Sequence, residues 1–291
     1  ILINTILISL IIIFFKINIV HARSRAPAWS CFLSCLITKT KFVTTFHGIY
    51  NFSNRFKKFY NSVMVRSNLI IAGSNFVFNH IHENYGKLVT SQKRLLVIFR
   101  GINTEYFDNS SITNEKVKKF RSAISFSSEK FKILLPGRLT RWKGQEMFIE
   151  SLNLLKEKHK KLNFQAIILG SHQGRKVYYK KLISMIEKYN LKNDIFFLQH
   201  FSEIPVAYYI SDIVVSSSIE PEAFGRVSVE AQAMRRPILA SDHGGSKETI
   251  IDGKSGFLFK NNSPVSLAEN LNRLMEMDKD KLQSIGNEGR K

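Results

Sequence analysis

Short apolar runs recur along this 291-residue chain, and most are separated by a segment with helical spacing of its buried positions. Residues 18–23, 42–46, 69–73 and 95–99 read as strands, with helices over 26–36, 55–66 and 75–85. Further on, strands at 131–135, 164–169 and 213–215 alternate with helical patterns as far as Leu258, and 264–277 reads as a helix. Neighbouring parallel strands need a long crossover, usually a helix, so this alternation predicts an α/β chain with parallel sheets. The polar run Asn109-Ser-Ser-Ile-Thr-Asn-Glu-Lys116 parts two such patterns, which predicts one domain over 1–108 and another over 109–291.

The chemistry concentrates in 216–249, SSSIEPEAFGRVSVEAQAMRRPILASDHGGSKET, where Glu222 and Glu230 stand eight positions apart around Phe224-Gly225. The run Ile213-Val214-Val215 entering Ser216-Ser217-Ser218 reads as a buried strand that delivers Glu222 to the carboxyl edge of a sheet. A helix then opens near Arg226, with Val227, Ala231 and Met234 on its buried side. The first turn of a helix offers free N–H groups and the positive end of its dipole, which suits a phosphate, and Gly225 lets backbone approach closely. Glu230, one turn inside, disfavours that anion and suits sugar hydroxyls. The unit is built for a ligand that is part phosphate and part sugar.

A second strand-to-helix loop carries Pro136-Gly137-Arg138-Leu139-Thr140-Arg141-Trp142-Lys143-Gly144. Arg138 and Lys143 there supply a planar fork and a point charge, a pairing suited to a diphosphate. No G-x-x-x-x-G-K-[ST] or G-x-G-x-x-G motif is present.

These two blocks, followed by Pro237-Ile-Leu-Ala-Ser241 and Gly244-Gly245, resemble the signatures of retaining family 4 glycosyltransferases with the GT-B fold. Residues 21–29 (HARSRAPAW), 44–48 (TTFHG) and 99–103 (FRGIN) resemble blocks of the same enzymes' acceptor domain. The resemblance implies two Rossmann-like parallel-sheet domains facing a cleft, and retaining transfer of a hexosyl or N-acetylhexosaminyl unit from a nucleotide diphosphate sugar. It implies that Arg138 and Lys143, in the loop begun by Gly137, neutralise the departing diphosphate. By the same token Glu222 contacts the donor sugar as a positioning group, Glu230 holds the ribose hydroxyls, and Phe224, Gly225, Arg226 and Val227 form the turn whose amides meet the phosphates. His47 matches a histidine that faces the donor sugar, Gly170 a glycine near the base-binding loops, and residues 197–200 the neighbourhood of the base. No cofactor beyond the co-substrate is implied. Two positive groups can do at the diphosphate what a metal does elsewhere, and no Cys or His cluster has metal-ligand spacing.

Charge bears on the partners. Lys and Arg outnumber Asp and Glu by 43 to 23, and residues 1–114 carry 13 basic against 3 acidic side chains. Arg55, Lys57, Lys58 and Arg66, interleaved with Phe56, Phe59 and Tyr60, read as a basic amphipathic helix suited to an anionic membrane. No nucleic-acid-binding signature accompanies the charge. Residues 1–15 fall short of the ~20 apolar residues that span a bilayer and read as a buried helix ahead of a buried strand. Cys31 and Cys35 read as packed thiols in a reducing cytoplasm.

The resemblance to bacterial enzymes of lipopolysaccharide core or envelope-glycan synthesis implies a lipid-linked acceptor and a peripheral place on the inner face of the cell membrane. The family's first strands, its glycine-rich loop and its terminal helices have no counterpart here, so the chain reads as a fragment with an incomplete first domain. A GT-B nucleotide-sugar epimerase and a non-catalytic, membrane-binding remnant of a transferase remain as alternatives.

Overall fold

The computed structural model describes residues 1–89, 94–124, 129–159, 162–199 and 201–291. Two compact units emerge, Ile1–Gly101 and Ile102–Lys291. The division precedes the one expected at residue 108, because the intervening segment packs into the second unit. Phe107 lies in that unit's core with its ring centroid 5.9 Å from that of Tyr208. Arg290 donates to the Phe107 carbonyl at 2.7 Å and pairs with Asp108 at 2.6 Å.

The first unit runs α1 (Leu2–Phe14), β1 (Ile19–Ala22), α2 (Arg25–Thr38), β2 (Lys41–Phe46), α3 (Arg55–Asn61), β3 (Leu69–Ala72), α4 (Asn75–Tyr85) and β4 (Leu95–Val97). Its four strands pair in sequence order, all parallel. The helix expected over 55–66 stops at Asn61 and tightens into a 3₁₀ turn, Ser62–Val65. That turn is wholly buried, and Thr44 on β2 donates to the Met64 carbonyl at 2.6 Å.

α1 forms where expected but is not buried. Only Thr5, Ser9 and Ile12 face inward, a stripe at helical spacing that packs on α2, where Ser34 Oγ donates to the Thr5 carbonyl at 2.9 Å. The helix buries its small polar stripe, while Ile3 and Phe14 stand 75% and 80% exposed. β1 lies at the sheet edge, so among the described residues α1 packs chiefly on α2, and Ile19 of β1 is exposed as well. No helix of the described residues is long and apolar enough to cross a membrane.

The second unit runs α5 (Asn114–Ala123), β5 (Phe131–Pro136), α6 (Gln145–Lys158), β6 (Phe164–Leu169), α7 (Lys176–Lys188), β7 (Ile195–Leu198), α8 (Ile204–Ile210), β8 (Ile213–Ser216), α9 (Arg226–Ala233), β9 (Ile238–Ser241), α10 (Ser246–Thr249), β10 (Phe257–Phe259), α11 (Pro264–Met275) and α12 (Lys279–Arg290). Its parallel sheet has the order β10-β9-β8-β5-β6-β7. Alternate strand residues feed two cores. Ile133, Leu135, Ile168 and Val215 meet Phe148 and Leu152 of α6 and Leu271 of α11 on one face. Leu134, Ile167 and Val214 meet Tyr208 of α8 and Val227 and Ala231 of α9 on the other. Burial on both faces is why these strands read as unbroken apolar runs.

Candidate active site

β5 and β8 are neighbours, and from them the chain winds outward in opposite directions, through β6 and β7 on one side and β9 and β10 on the other. Such a switch point leaves a crevice at the carboxyl edge, where open α/β sheets bind ligands. The Arg138–Lys143 loop leaves β5 there and the Glu222 loop leaves β8.

The two loops are stitched together. Gly144 has φ +70°, and a Cβ on it would lie 1.9 Å from the Ser217 carbonyl oxygen, so only glycine lets the loops touch. Ser217 Oγ donates to the carbonyls of Lys143 (3.0 Å) and Gly144 (3.2 Å), and Ile219 N–H donates to Trp142 O at 2.8 Å. The 3₁₀ turn Arg141–Lys143 is thereby held so that Lys143 reaches across to Glu222, with Nζ 2.6 Å from Oε1. Their side chains are 14% and 10% exposed. Ser218 Oγ donates to the same carboxylate oxygen at 2.6 Å, and Lys143 Nζ lies 4.4 Å from the Trp142 ring centroid. His243 Nε2 is 2.8 Å from the Ser218 carbonyl, which fixes the strand-end turn from the far side. Removing either ion of so buried a pair strands the other. Arg138 is exposed; its carbonyl accepts from Gln145 Nε2 at 2.9 Å, and its guanidinium makes no ion pair among the described residues.

Gly225, at φ +82°, opens α9 with Ser246 packed against it; a Cβ there would meet Ser246 Oγ at 2.9 Å. Gly245 N–H donates to Glu222 O at 2.7 Å, which braces the turn. Phe224 and Val227 are buried beneath it. The amides of Arg226 and Val227 belong to the first turn, where a helix has no acceptor of its own to give them. Glu230, one turn in, is nearly buried: Tyr208 OH donates to Oε2 at 2.7 Å and Arg226 Nη2 to Oε1 at 3.0 Å. Burial, then the Glu230 carboxylate, holds the Tyr208 phenol well above its ordinary pKa, so it stays a donor.

Gly170, after β6, lies against the β5 loop; a Cβ on it would fall 2.0 Å from the Gly137 carbonyl oxygen. Phe197 is half-buried on β7 beside Tyr179, with ring centroids 5.2 Å apart, and His200 lies outside the described residues. His47 belongs to the first unit, just after β2, and accepts from Arg23 Nε at 2.8 Å. Burial first, then Arg100, Arg23 and His21, hold its pKa below the usual value. Thus Gly137, Arg138, Lys143, Gly170, Glu222, Phe224, Gly225, Arg226, Val227 and Glu230 gather in the second unit, while His47 lies in the first. Ser218, His243 and Tyr208 carry no role in the sequence reading. A serine in a Ser-Ser-Ser run and one tyrosine of a Tyr-Tyr pair give no signal that each would reach a carboxylate.

Two all-parallel sheets, the second with its cations and carboxylates at the switch point, define a chain of GT-B type. It belongs to the glycosyl transferases group 1 family, whose model matches residues 116–291, and the Glycosyltransferase Family 4 model matches residues 2–106. A glycosyltransferase crystal structure from Rickettsia africae ESF-5 is 38% identical, with a TM-score of 0.89 over 99% of this chain and 74% of that one. Anabaena Alr3699/HepE, solved in complex with UDP-glucose, is 24% identical with a TM-score of 0.86 over 98% of this chain and 76% of its own, a likeness of fold. The uncharacterized glycosyltransferase MJ1069 of Methanocaldococcus jannaschii is 27% identical over 233 residues, 77% of this chain and 55% of that protein. The chain spans about half the length of the curated relatives it matches.

Proposed function

We propose that the protein transfers a hexosyl or N-acetylhexosaminyl unit, with retention, from a nucleotide diphosphate sugar to a lipid-linked acceptor in lipopolysaccharide core or other envelope-glycan synthesis. The observation that carries this reading is the Lys143–Glu222 pair at the switch point, beside Arg138 and the opening turn of α9. In transfer, Arg138, Lys143 and the amides of Arg226 and Val227 take up the charge that builds on the leaving diphosphate, without a metal, as the sugar becomes cationic. Glu222 positions the sugar, and Glu230, held by Tyr208, accepts from the ribose hydroxyls. UDP-glucose in the Anabaena protein supports a uridine donor as the first to try. The formal charge of +20 and the exposed, basic α3 support a phosphate-bearing lipid acceptor and a peripheral place on the cytoplasmic face of an anionic membrane.

Titration with UDP, ADP and GDP, followed by a donor screen read by mass spectrometry, tests the proposal. Binding of one nucleotide and turnover lost in Lys143→Ala and Glu222→Ala are expected. A folded protein that binds none of the three sinks the reading.

A further inference from the structure

Glu222 is held from two neighbouring strands at once. The run Ser216-Ser217-Ser218 leaves β8, and Ser218 is buried. Its hydroxyl donates to Glu222 Oε1 at 2.6 Å, the same oxygen that Lys143 Nζ meets at 2.6 Å. Glu222 Oε2 accepts from no described residue.

The segment after β9 clamps both ends of the loop 218–222. His243 N–H donates to the Ser241 carbonyl at 2.8 Å and turns the chain as the strand ends. Its Nε2 lies 2.8 Å from the Ser218 carbonyl, which can only accept, so the imidazole proton sits on Nε2. Two residues on, Gly245 N–H donates to the Glu222 carbonyl at 2.7 Å. Between them Gly244 has φ +61°, and a Cβ on it would fall 2.6 Å from Glu222 O and 2.8 Å from Glu222 N. Only glycine lets this segment lie on the Glu222 backbone. His243 and Gly245 thus fix the carbonyls at the two ends of the loop, with Ser218 Oγ aimed back at the carboxylate.

The two donors on Oε1 are not equivalent. Lys143 carries its ammonium on a flexible stem, and the proposed mechanism sends it to the diphosphate. Ser218 sits buried on a braced turn and cannot follow. Once the cation has moved, Ser218 is the one hydrogen-bond donor left on the Glu222 carboxylate among the described residues. A hydroxyl bonded to a carboxylate makes a short, charge-assisted hydrogen bond, roughly twice as strong as a neutral one. That bond keeps Oε1 turned toward the protein and leaves Oε2 for a sugar hydroxyl.

We propose that Ser218, set in place by His243, is the positioning residue that keeps Glu222 aimed at the donor sugar after Lys143 has moved to the diphosphate. The proposal rests on the reading of Glu222 as the group that contacts the sugar. Ser218 and His243 act only through that carboxylate.

The test is a cycle of Ser218→Ala, Glu222→Ala and the double variant in the full chain. Calorimetry compares UDP-glucose, ADP-glucose and GDP-glucose, each with its own nucleotide. Ser218→Ala is expected to lower affinity for the conjugate relative to the nucleotide about tenfold, corresponding to one hydrogen bond to a charged group. In the Glu222→Ala background it should change that ratio no further. His243→Ala should repeat the loss, and His243→Gln, whose amide donor can reach the same carbonyl, should recover most of it. A ratio unchanged in Ser218→Ala, or a loss of the same size with Glu222 already gone, overturns the proposal. Melting of the nucleotide-free protein reads the contact by itself. The fall in Tm from Ser218→Ala should shrink in the Glu222→Ala background, and an undiminished fall also overturns the proposal. If nothing binds while the Tm cycle shows the link, the transferase reading fails and takes the sugar role with it, while the contact stands.

Discussion

Lys143 Nζ sits 2.6 Å from Glu222 Oε1, within a pair that is almost closed to solvent. The carboxylate holds the cation that the proposed mechanism assigns to the donor diphosphate, so on that proposal donor binding draws Lys143 away from Glu222. Glu222→Gln keeps the shape and removes the competing charge. It is expected to tighten UDP binding several-fold while lowering turnover by about two orders of magnitude through loss of sugar positioning. Calorimetry beside a transfer assay checks both signs, and weaker UDP binding in the variant counts against the competition.

Tyr208 governs Glu230. Tyr208→Phe leaves one oxygen of a nearly buried carboxylate without its donor. A loss of about 1–3 kcal/mol of stability is expected, together with weaker nucleotide binding. Chemical denaturation and nucleotide titration read the two effects. Unchanged affinity would mean that Arg226 alone keeps Glu230 in place.

Gly144→Ala forces a Cβ onto the Ser217 carbonyl in a left-handed backbone. The loops must part, and the strain and overpacking together cost about 2–4 kcal/mol. A lowered Tm, with Lys143-dependent turnover lost beyond what unfolding explains, is the expected result. Gly48→Ala, where an added Cβ meets nothing within 4 Å, serves as the control.

His47 makes stability depend on pH. Its folded pKa lies below the reference value of 6.5, so on acidification the unfolded chain takes up the proton first. Its contribution is present above the unfolded pKa and is lost as pH falls through the folded one. Protonation also removes the lone pair that accepts from Arg23. His47→Gln should flatten this part of a Tm-against-pH curve, with His21 and His80, also depressed, leaving a residual slope.

Cys35 is buried in α2, and burial first, then Cys31, pushes its thiol up to about 11. Thiolate is the reactive form. Alkylation near neutral pH should therefore be slow in the folded protein and complete after denaturation; rapid modification would place Cys35 at the surface.

The strands, the α9 turn and the grouping of Arg138, Lys143, Glu222 and Glu230 were legible in the sequence because each depends on local patterns. Runs such as 131–135 and 213–215 are apolar on both faces, and Phe224-Gly225 marks its turn by itself. The exposure of α1 was not legible, because its stripe of Thr5 and Ser9 matters only once α2 presents Ser34 to it. Nor was the link from Tyr208 to Glu230, which spans two helices on one face of the sheet.

The seam between β5 and β8 supplies the groups assigned to the diphosphate, the sugar and the ribose, whereas β7 and β10 form the two rims of that sheet. Inheritance can therefore act on these parts separately. On the family resemblance, which puts the base near residues 197–200, grafting the segment from β7 to α8 out of a relative with another nucleotide preference should retune base choice while sparing bond-breaking, and new donor habits would then arise at the margin of an unchanged centre.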